Sequence, residues 1–254
     1  MKLYVPIFLV LLVIASNSSL FASAIIVIGP PTSNSDYQRL ASLIVSTFDA
    51  PTDSNNPSSI EAKLQNVQWD LFEKALTEDF TYRQYVSTAR RMRGKKYCLL
   101  LAKEYASEEE SLKGVYAVVG MVEMGLSICP TFTCLDLDEI VAGDSSEDCE
   151  VMPQPTIGFL CTKSSHRNRG IGLSLVQKCE EIAQDVWNEQ HVFVDVDPNN
   201  LKAISFFERA DYEYVLEERS KTFMMRNTTV FRRRVEQVKP HFLLRKRLYG
   251  ETLS

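Results

Sequence analysis

The sequence is poor in the residues and motifs that mark several common enzyme classes. It holds only three histidines, His166, His191 and His241, and they form no cluster with the cysteines at metal-ligand spacing. No G-x-S-x-G motif is present, which argues against a hydrolase with a serine nucleophile elbow. A G-x-x-x-x-G-K-S/T phosphate loop is also absent, and the chain shows no internal repeat.

Long hydrophobic runs are absent too. The apolar run at residues 5–15 is shorter than the roughly 20 residues that a bilayer span needs. It follows a short start with Lys2 and precedes a polar segment that ends in Ala22-Ser23-Ala24. This order is typical of a secretory signal peptide, which we predict over residues 1–24, with no stable membrane span after its removal. An uncleaved signal-anchor and a buried first segment of the domain remain open.

A signal peptide of this kind predicts entry into the secretory pathway, with the ER lumen or the exterior as the destination. The alternative is a plastid that is reached through an ER signal followed by a transit segment. A transit segment is basic and poor in acids, whereas residues 25–29 look like a strand and Asp36, Asp49 and Asp53 follow soon after. The plastid route therefore has the weaker support.

The overall composition is that of a globular protein with an uneven distribution of charge. The chain has 254 residues, of which 45% are hydrophobic and 24% charged, so disordered, collagen-like and low-complexity classes are excluded. Its net charge of -5 argues against nucleic-acid binding over the whole surface. Residues 131–154 hold seven acids and no base, whereas residues 229–254 hold seven bases and two acids. We predict an acidic insertion at 131–154 and a basic C-terminal tail at 229–254.

The six cysteines fall into two groups by their surroundings. Cys98 and Cys161 lie in apolar strand patterns and Cys179 lies on the apolar face of a helix, positions that are typical of small buried thiols. The other group, around one loop, is the plausible cross-linking set and consists of Cys129, Cys134 and Cys149. The cysteines alone do not determine the redox compartment.

Residues 25–228 read as one α/β domain because helical and strand patterns alternate along them. The predicted strands are 24–29, 97–105, 114–128, 156–163 and 191–197, followed by a hairpin of 212–218 and 222–227. The predicted helices are 36–48, 60–92 in two pieces, 170–187 and a short one that Pro198-Asn199-Asn200 caps.

The segment from Leu160 to Gly172 carries the strongest chemical signal. A strand runs into a basic, glycine-containing loop, and a helix begins at Gly170. The unpaired N–H groups at a helix N-terminus bind phosphate, glycines let the backbone approach an anion, and Arg167 and Arg169 add positive charge. The spacing does not match the dinucleotide motif G-x-G-x-x-G, because Leu175 occupies the third position. The alternative is an ordinary glycine-bearing helix start with solvated arginines.

Read with residues 198–215, this R-x-x-G-x-G order resembles the GNAT superfamily of acyl-CoA-dependent N-acetyltransferases. Arg167, Gly170 and Gly172 match the superfamily's pyrophosphate-binding signature, and its second motif is matched by Asn200, Ala203 and Glu208. The resemblance is strongest over residues 155–227. It implies a GNAT-like α/β fold, with a mixed central sheet flanked by helices, and acetyl-CoA as cosubstrate without a metal.

The same resemblance implies the residues that bind the cosubstrate. The pantetheine arm lies along the motif strand, the pyrophosphate rests on the loop amides, and a backbone N–H near Leu160 polarises the acyl oxygen. The implied contacts are Leu160, Cys161, Thr162, Arg167, Asn168, Arg169, Gly170, Ile171, Gly172, Asn200 and Phe207.

Two positions depart from the superfamily pattern. Phe207 stands where a tyrosine often acts as general acid, so Tyr212, Tyr214 or solvent takes that role, or the step needs no acid; Tyr212 is our candidate. Asp211 replaces a glycine, and it too tolerates turn conformations.

A general base must take the proton of the attacking amine, and the candidate is Glu123, which interrupts an otherwise apolar strand next to the motif strand. Burial there would raise its pKa toward the working range. The alternative is that Glu123 faces solvent.

The sequence therefore predicts an enzyme that transfers acetyl from acetyl-CoA to a primary amine by direct attack, with a protein lysine or N-terminal α-amine as the favoured acceptor. The acidic insertion suits a cationic acceptor, and a solvated insertion without a role in binding is the alternative. A small-molecule amine, such as a polyamine, and a non-catalytic acyl-CoA-binding module are the alternatives.

Overall fold

The computed structural model describes residues 11–12, 24–48, 60–127, 153–227 and 232–248. The chain divides into two compact units. The first comprises residues 1–123 and 159–179, and the second comprises residues 124–158 and 180–254. Among the described residues, none of the helices combines the length and apolar character that crossing a membrane requires.

The first unit contains one end of the sheet and the longer helices. Its strands follow the order β1-β2-β3-β4-β5, and β2 runs antiparallel to both β1 and β3. The strands are β1 (Leu11–Leu12), β2 (Ile25–Gly29), β3 (Tyr97–Tyr105), the first part of β4 (Ala117–Ser127) and the last part of β5 (Gln154–Thr162). The helices are α1 (Asn34–Phe48), α2 (Ile60–Arg91), α3 (Glu108–Leu112) and most of α4 (Ile171–Glu181).

The core of this unit forms because the apolar residues follow the period of each element. On α1, Leu40 and Leu43 share the buried side, and on β3 the residues from Leu99 to Lys103 are all buried. The main cluster consists of Leu40, Leu43, Tyr85, Leu99, Leu101, Val118, Met121 and Cys161. These residues join α1 and α2 to the strands β3, β4 and β5.

One charged pair is built into the same core. Asp36 is 0% exposed and its Oδ2 accepts a hydrogen bond from Lys103 Nζ at 2.9 Å and from the Thr32 N–H at 2.7 Å. The Tyr116 hydroxyl donates to its Oδ1. Burial opposes ionisation of Asp36, but these donors outweigh it and hold its pKa at about 2, below the ordinary 3.8. The carboxylate thus joins the start of α1 to β3.

Gly120 on β4 lies where α4 packs closely against the sheet. A Cβ built there would lie 3.1 Å from Ile171 Cγ2, 3.1 Å from Leu175 Cδ1 and 3.3 Å from the Cys161 carbonyl oxygen. A Cβ at this position would have to displace these neighbours by a few tenths of an ångström, so glycine suits the close approach. Gly120 therefore helps to set the position of the first turn of α4.

The second unit contains the other end of the sheet, in the order β5-β6-β8-β7. β5 runs parallel to β6 (His191–Val196), as Thr156 pairs with Phe193, and β8 (Arg232–Arg247) runs antiparallel to both β6 and β7 (Glu213–Asn227). A π-helical turn over Ile182–Val186 follows α4, and the short helix α5 (Leu201–Glu208) follows β6.

The end of the chain corrects two predictions. The predicted hairpin of 212–218 and 222–227 is a single strand, β7, whose partner is β8. β8 occupies most of the predicted basic tail, and it pairs with β6 along His191–Val196. Leu243 and Leu244 supply the buried apolar residues of this strand. The sequence analysis did not predict β8, because arginines and lysines flank its short apolar segment at residues 242–244.

The predicted mixed sheet with flanking helices is confirmed. One prediction within it is wrong, because residues 60–91 form one helix rather than two pieces. Nearly all of the predicted insertion 131–154 and most of the predicted signal peptide 1–24 lie outside the described residues. Both remain predictions.

Candidate active site

The loop between β5 and α4 has a backbone conformation that suits an anion-binding helix start. It begins with a 3₁₀ turn at Ser164–His166, and Asn168 (φ 61°) and Gly170 (φ 76°) then adopt left-handed conformations. Glycine adopts this region without a steric penalty, and asparagine is one of the few other residues that tolerate it. The Gly170 carbonyl accepts the Ser174 N–H at 3.0 Å, which marks Gly170 as the first residue of the helical hydrogen-bond ladder.

The amides at this start are oriented to receive a negatively charged ligand. The first N–H groups of a helix have no carbonyl one turn earlier to bond, and the helix dipole adds partial positive charge. Gly170 is exposed, and a Cβ at this residue would meet no atom within 4 Å, so the backbone stands in open space. Gly172 is half-buried, and Ile171 is 1% exposed and anchors the turn in the core. These features fit a phosphate group.

The two loop arginines differ in their partners. Arg167 is exposed, and its Nε donates to the Thr162 carbonyl at 3.4 Å. Arg169 places Nη1 2.9 Å from Glu104 Oε1, with its side chain 41% exposed. Much of the charge of Arg169 is therefore balanced inside the protein, whereas Arg167 faces a backbone carbonyl rather than a carboxylate.

Glu104, at the end of β3, anchors this loop. Its other oxygen, Oε2, lies 2.8 Å from His166 Nε2, and the Ser165 hydroxyl lies 2.8 Å from His166 Nδ1. Burial would raise the pKa of Glu104, but His166 and Arg169 together lower it. No motif in the sequence marks Glu104, because its partners lie about 60 positions away along the chain.

The end of β5 presents the predicted pantetheine strand. Leu160 and Thr162 are half-buried, whereas the Cys161 side chain is 5% exposed and points into the core. Burial raises the pKa of the Cys161 thiol to about 12, so it stays protonated and is not a nucleophile at neutral pH. Along this strand the backbone, rather than the cysteine side chain, is what remains to contact a ligand.

Glu123 lies on β4, which neighbours β5 in the sheet. Its side chain is half-buried beside the hydroxyls of Tyr85 and Tyr97. It therefore does not simply face solvent, which was the alternative. Burial raises the pKa of Glu123, and the two phenol hydroxyls counteract part of that effect. The same neighbourhood raises the pKa of both tyrosines, with burial as the main cause. This raised pKa is what a general base that works near neutral pH needs.

The remaining predicted residues belong to the second unit. The Asn200 side chain caps α5 by accepting the Ala203 N–H at 3.2 Å, and its residue is exposed. Phe207 is 4% exposed and its ring lies 5.2 Å from that of Tyr212, which is 3% exposed. Both rings have the environment of core residues. Asp211 has φ 65°, which confirms that it occupies a turn position that glycine usually fills.

The described residues contain no group of three or more His, Cys, Asp or Glu side chains that could hold a metal ion. The predicted absence of a metal remains a prediction.

The mixed α/β sheet carries a helix start that suits a phosphate group and a half-buried carboxyl on the strand β4. The chain belongs to the acetyltransferase (GNAT) family, whose family model matches residues 69–212, more than half of the chain. This confirms the resemblance drawn from the motifs, and with it the acyltransferase class. Acetyl-CoA is thereby the expected cosubstrate.

Solved structures agree with this fold. NAA60 from Arabidopsis thaliana in complex with a bisubstrate analogue has a TM-score of 0.50 and 15% identity, over 87% of this chain and 97% of that chain. The same protein in complex with acetyl-CoA has a TM-score of 0.50 and 16% identity, over 89% and 99%. At such identities the likeness shows the fold. No curated protein matches the sequence.

Proposed function

We propose that this chain is an N-acetyltransferase that transfers acetyl from acetyl-CoA to a primary amine of a protein, either a lysine side chain or an N-terminal α-amine. The observation that carries the proposal is the exposed helix start at Gly170, whose left-handed backbone and open surroundings suit a pyrophosphate. Membership of the acetyltransferase family supports acetyl as the transferred group. The acidic composition of 131–154 favours a cationic acceptor.

The residues of the first unit supply the proposed binding contacts. The amides from Arg167 to Gly172 hold the pyrophosphate, and the exposed Arg167 side chain adds charge. The backbone of Leu160 to Thr162 aligns the pantetheine arm, and an N–H near Leu160 donates a hydrogen bond to the acyl oxygen as negative charge develops on it.

The proposed proton transfers need one base and one acid. Glu123 accepts the proton of the amine, which then attacks the thioester carbon directly. Water is the proposed donor of the proton to the departing sulfur, because Tyr212, the candidate drawn from the sequence, is 3% exposed in the second unit. Asn200 and Phe207, both in the second unit, remain proposed cosubstrate contacts. In the structure Asn200 caps the helix α5, and the ring of Phe207 is buried.

The acceptor class is tested by incubating the full chain with acetyl-CoA and three separate acceptors. These are peptides with a free α-amine and blocked lysines, peptides with a blocked α-amine and free lysines, and a polyamine. Mass spectrometry measures the added acetyl group. Acetylation of either peptide set above the polyamine supports the proposal, whereas faster acetylation of the polyamine supports the small-molecule alternative.

Binding must be measured beside turnover. Calorimetric titration of the folded protein with acetyl-CoA gives the affinity independently of any acceptor. Binding without turnover on all three acceptors would favour a non-catalytic acyl-CoA module, and absence of binding by the folded chain would overturn the proposal altogether.

We also propose that residues 1–24 act as a cleaved signal for the secretory pathway, supported by the short apolar run and the Ala22-Ser23-Ala24 end. The test is expression of the full chain in secretory cells, followed by sequencing of the mature N-terminus. A start at residue 25 supports the proposal. A start that retains Leu11–Leu12, the strand that pairs with β2, contradicts cleavage and supports the two uncleaved alternatives, a signal-anchor or a buried first segment.

A further inference from the structure

Two cysteines that are 81 positions apart in the sequence lie next to each other in the first unit. Cys98 stands near the start of β3, and Cys179 stands near the end of α4. Their Sγ atoms are 3.9 Å apart, which is direct van der Waals contact between two sulfur atoms. Both residues are thiols in this structure.

We propose that Cys98 and Cys179 form an intramolecular disulfide when the protein meets a low-molecular-weight disulfide such as glutathione disulfide. The geometry requires the sulfurs to approach from 3.9 Å to about 2.05 Å, the length of an S–S bond. Rotation about the Cα–Cβ bonds moves a sulfur by this order of distance, and it is the movement that the proposal invokes. The inference stands on the side-chain positions of the first unit and is independent of the acetyl-transfer proposal.

The chemistry begins at the more accessible thiol. Cys98 is half-buried, whereas Cys179 is 0% exposed. The Cys98 thiol loses its proton, and the thiolate attacks one sulfur of glutathione disulfide, which releases one glutathione thiolate and leaves a mixed disulfide on Cys98.

The second step is internal. The Cys179 thiol loses its proton, and the thiolate attacks Cys98 Sγ and displaces the second glutathione thiolate. In total the two protein thiols lose two electrons and two protons, and one glutathione disulfide becomes two glutathione molecules. Burial of Cys179 does not block this step, because the sulfur that it attacks is already its neighbour.

Cys161 provides an internal comparison. It lies in the same unit, is 5% exposed and has a thiol pKa raised to about 12 by burial. Cys98 differs from it both in exposure and in having a second sulfur in contact. Oxidation is therefore expected to select the Cys98–Cys179 pair and to leave Cys161 as a thiol.

The proposed bond would join two elements that α3, β4 and β5 separate along the chain, and it would close a covalent loop across 81 positions. Such a cross-link restricts the unfolded state more than the folded one, and its effect grows with the length of the closed loop. The N-terminal end of the cross-linked helix, α4, carries the candidate pyrophosphate site. Oxidation would thus stabilise the first unit and hold the helix on the sheet. The predicted export of the chain would bring it to compartments in which disulfides persist.

The experiment treats the full-length protein with glutathione disulfide, blocks the remaining thiols by alkylation and maps the peptides without reduction. The expected result is a linked pair of peptides that contain Cys98 and Cys179, with Cys161 alkylated after denaturation. Thermal unfolding should shift upward by roughly 5 °C or more in the oxidised sample, and a reducing agent should reverse the shift.

The variants Cys98→Ser and Cys179→Ala are measured in the same way, and each should abolish both the linked peptide and the reversible thermal shift. Because Cys98→Ser alters a half-buried position, it keeps the test valid if the core variant fails to fold. Recovery of Cys98 and Cys179 as alkylated thiols, or of Cys98 only as the glutathione adduct, would overturn the proposal. A link from Cys98 to Cys129, Cys134 or Cys149 instead would overturn it as well.

Discussion

At the scale of single residues, Glu123 is placed between two opposing influences. Burial in β4 disfavours its charged form, and the hydroxyls of Tyr85 and Tyr97 favour it. The net direction is a raised pKa, so the carboxyl remains protonated to a higher pH than an exposed glutamate does. A shift in this direction makes the ionised carboxylate a stronger base than that of an exposed glutamate.

We predict that Glu123→Gln lowers kcat/KM for the amine by about 10²- to 10⁴-fold, the usual contribution of a general base. The wild-type rate should fall as the pH drops through the raised pKa of Glu123, and this acidic limb should be absent from the variant. Steady-state rates measured across a pH series give both the loss of kcat/KM and the acidic limb of the pH profile. An unchanged pH profile in the variant would show that Glu123 is not the base.

The stability of the same variant separates catalysis from folding. The folded-state pKa of Glu123 lies above its unfolded value, so the ionised group opposes folding once the pH rises through that interval. Removing the charge should leave the unfolding temperature at pH 8 unchanged or higher. A fall in activity combined with this result identifies a chemical role.

Asp36 gives a second prediction at this scale. Asp36→Asn leaves the Lys103 ammonium buried without its carboxylate, and breaking such a buried pair costs about 3–5 kcal/mol. The matched control is Asp79→Asn, whose ion pair with Arg83 is largely exposed and contributes at most about 1 kcal/mol. Chemical denaturation measures both. If both variants lost the same free energy of unfolding, the buried Asp36–Lys103 pair would be no more stabilising than the exposed Asp79–Arg83 pair, which contradicts the prediction.

The pH dependence of Asp36 has a definite sign. Its pKa is lowered to about 2 in the folded protein from 3.8, so its contribution to stability is complete above the unfolded value. The contribution is lost as the pH falls from about 4 to about 2. The difference in stability between wild type and Asp36→Asn should therefore narrow over this window.

At the scale of elements, the β5–α4 connection combines a backbone requirement with an electrostatic one. Asn168 and Gly170 supply the left-handed conformations, Glu104 ties His166 and Arg169 to β3, and Gly120 lets α4 lie close to β4. The candidate anion site therefore depends on three elements, although its motif is confined to one loop.

We predict that Gly170→Asp weakens acetyl-CoA binding by about 10- to 100-fold, because it adds a side chain and a negative charge where the amides face the ligand. The matched control is Gly114→Asp, since Gly114 has a similar φ of 67° with open space around it but lies between α3 and β4. Calorimetric titration with acetyl-CoA measures both affinities, and thermal unfolding measures both stabilities. Similar affinity in the two variants would place the pyrophosphate elsewhere.

At the scale of the whole molecule, the end of the chain is part of the sheet. β8 lies between β6 and β7, and its Leu243 and Leu244 are buried in the second unit. A chain truncated after residue 228 is expected to lose cooperative unfolding, since β6 then loses its antiparallel partner and the core loses both leucines. A chain truncated after residue 248 should unfold like the full-length protein. Calorimetry compares the three proteins, and a folded 228-residue form would contradict this role of β8.

The predictable part of this protein was local in sequence. The R-x-x-G-x-G loop, the strand before it and the helix after it follow from spacing, turn residues and the 3.6-residue period, all of which are short-range. The same holds for the turn at Asp211. The long-range features were missed. Apolar residues 242–244 form too short a segment to outweigh their basic flanks, and the contacts of Glu104 and Cys98 join residues far apart in the chain.

The sequence by itself determined the family, the mixed α/β fold and the position of the candidate phosphate loop, because these depend on short-range patterns and on the conformational freedom of particular glycines. Only the tertiary structure decided the rest. It brought Tyr85 and Tyr97 to Glu123, Lys103 to Asp36 and Cys179 to Cys98. It also showed that residues 232–247, which lack a long apolar run, form the strand β8. A strand needs only backbone hydrogen bonds to its neighbours and a few buried side chains, here Leu243 and Leu244. Burial and side-chain contacts depend on which residues lie close together in space, and the order of residues along the chain does not give those distances.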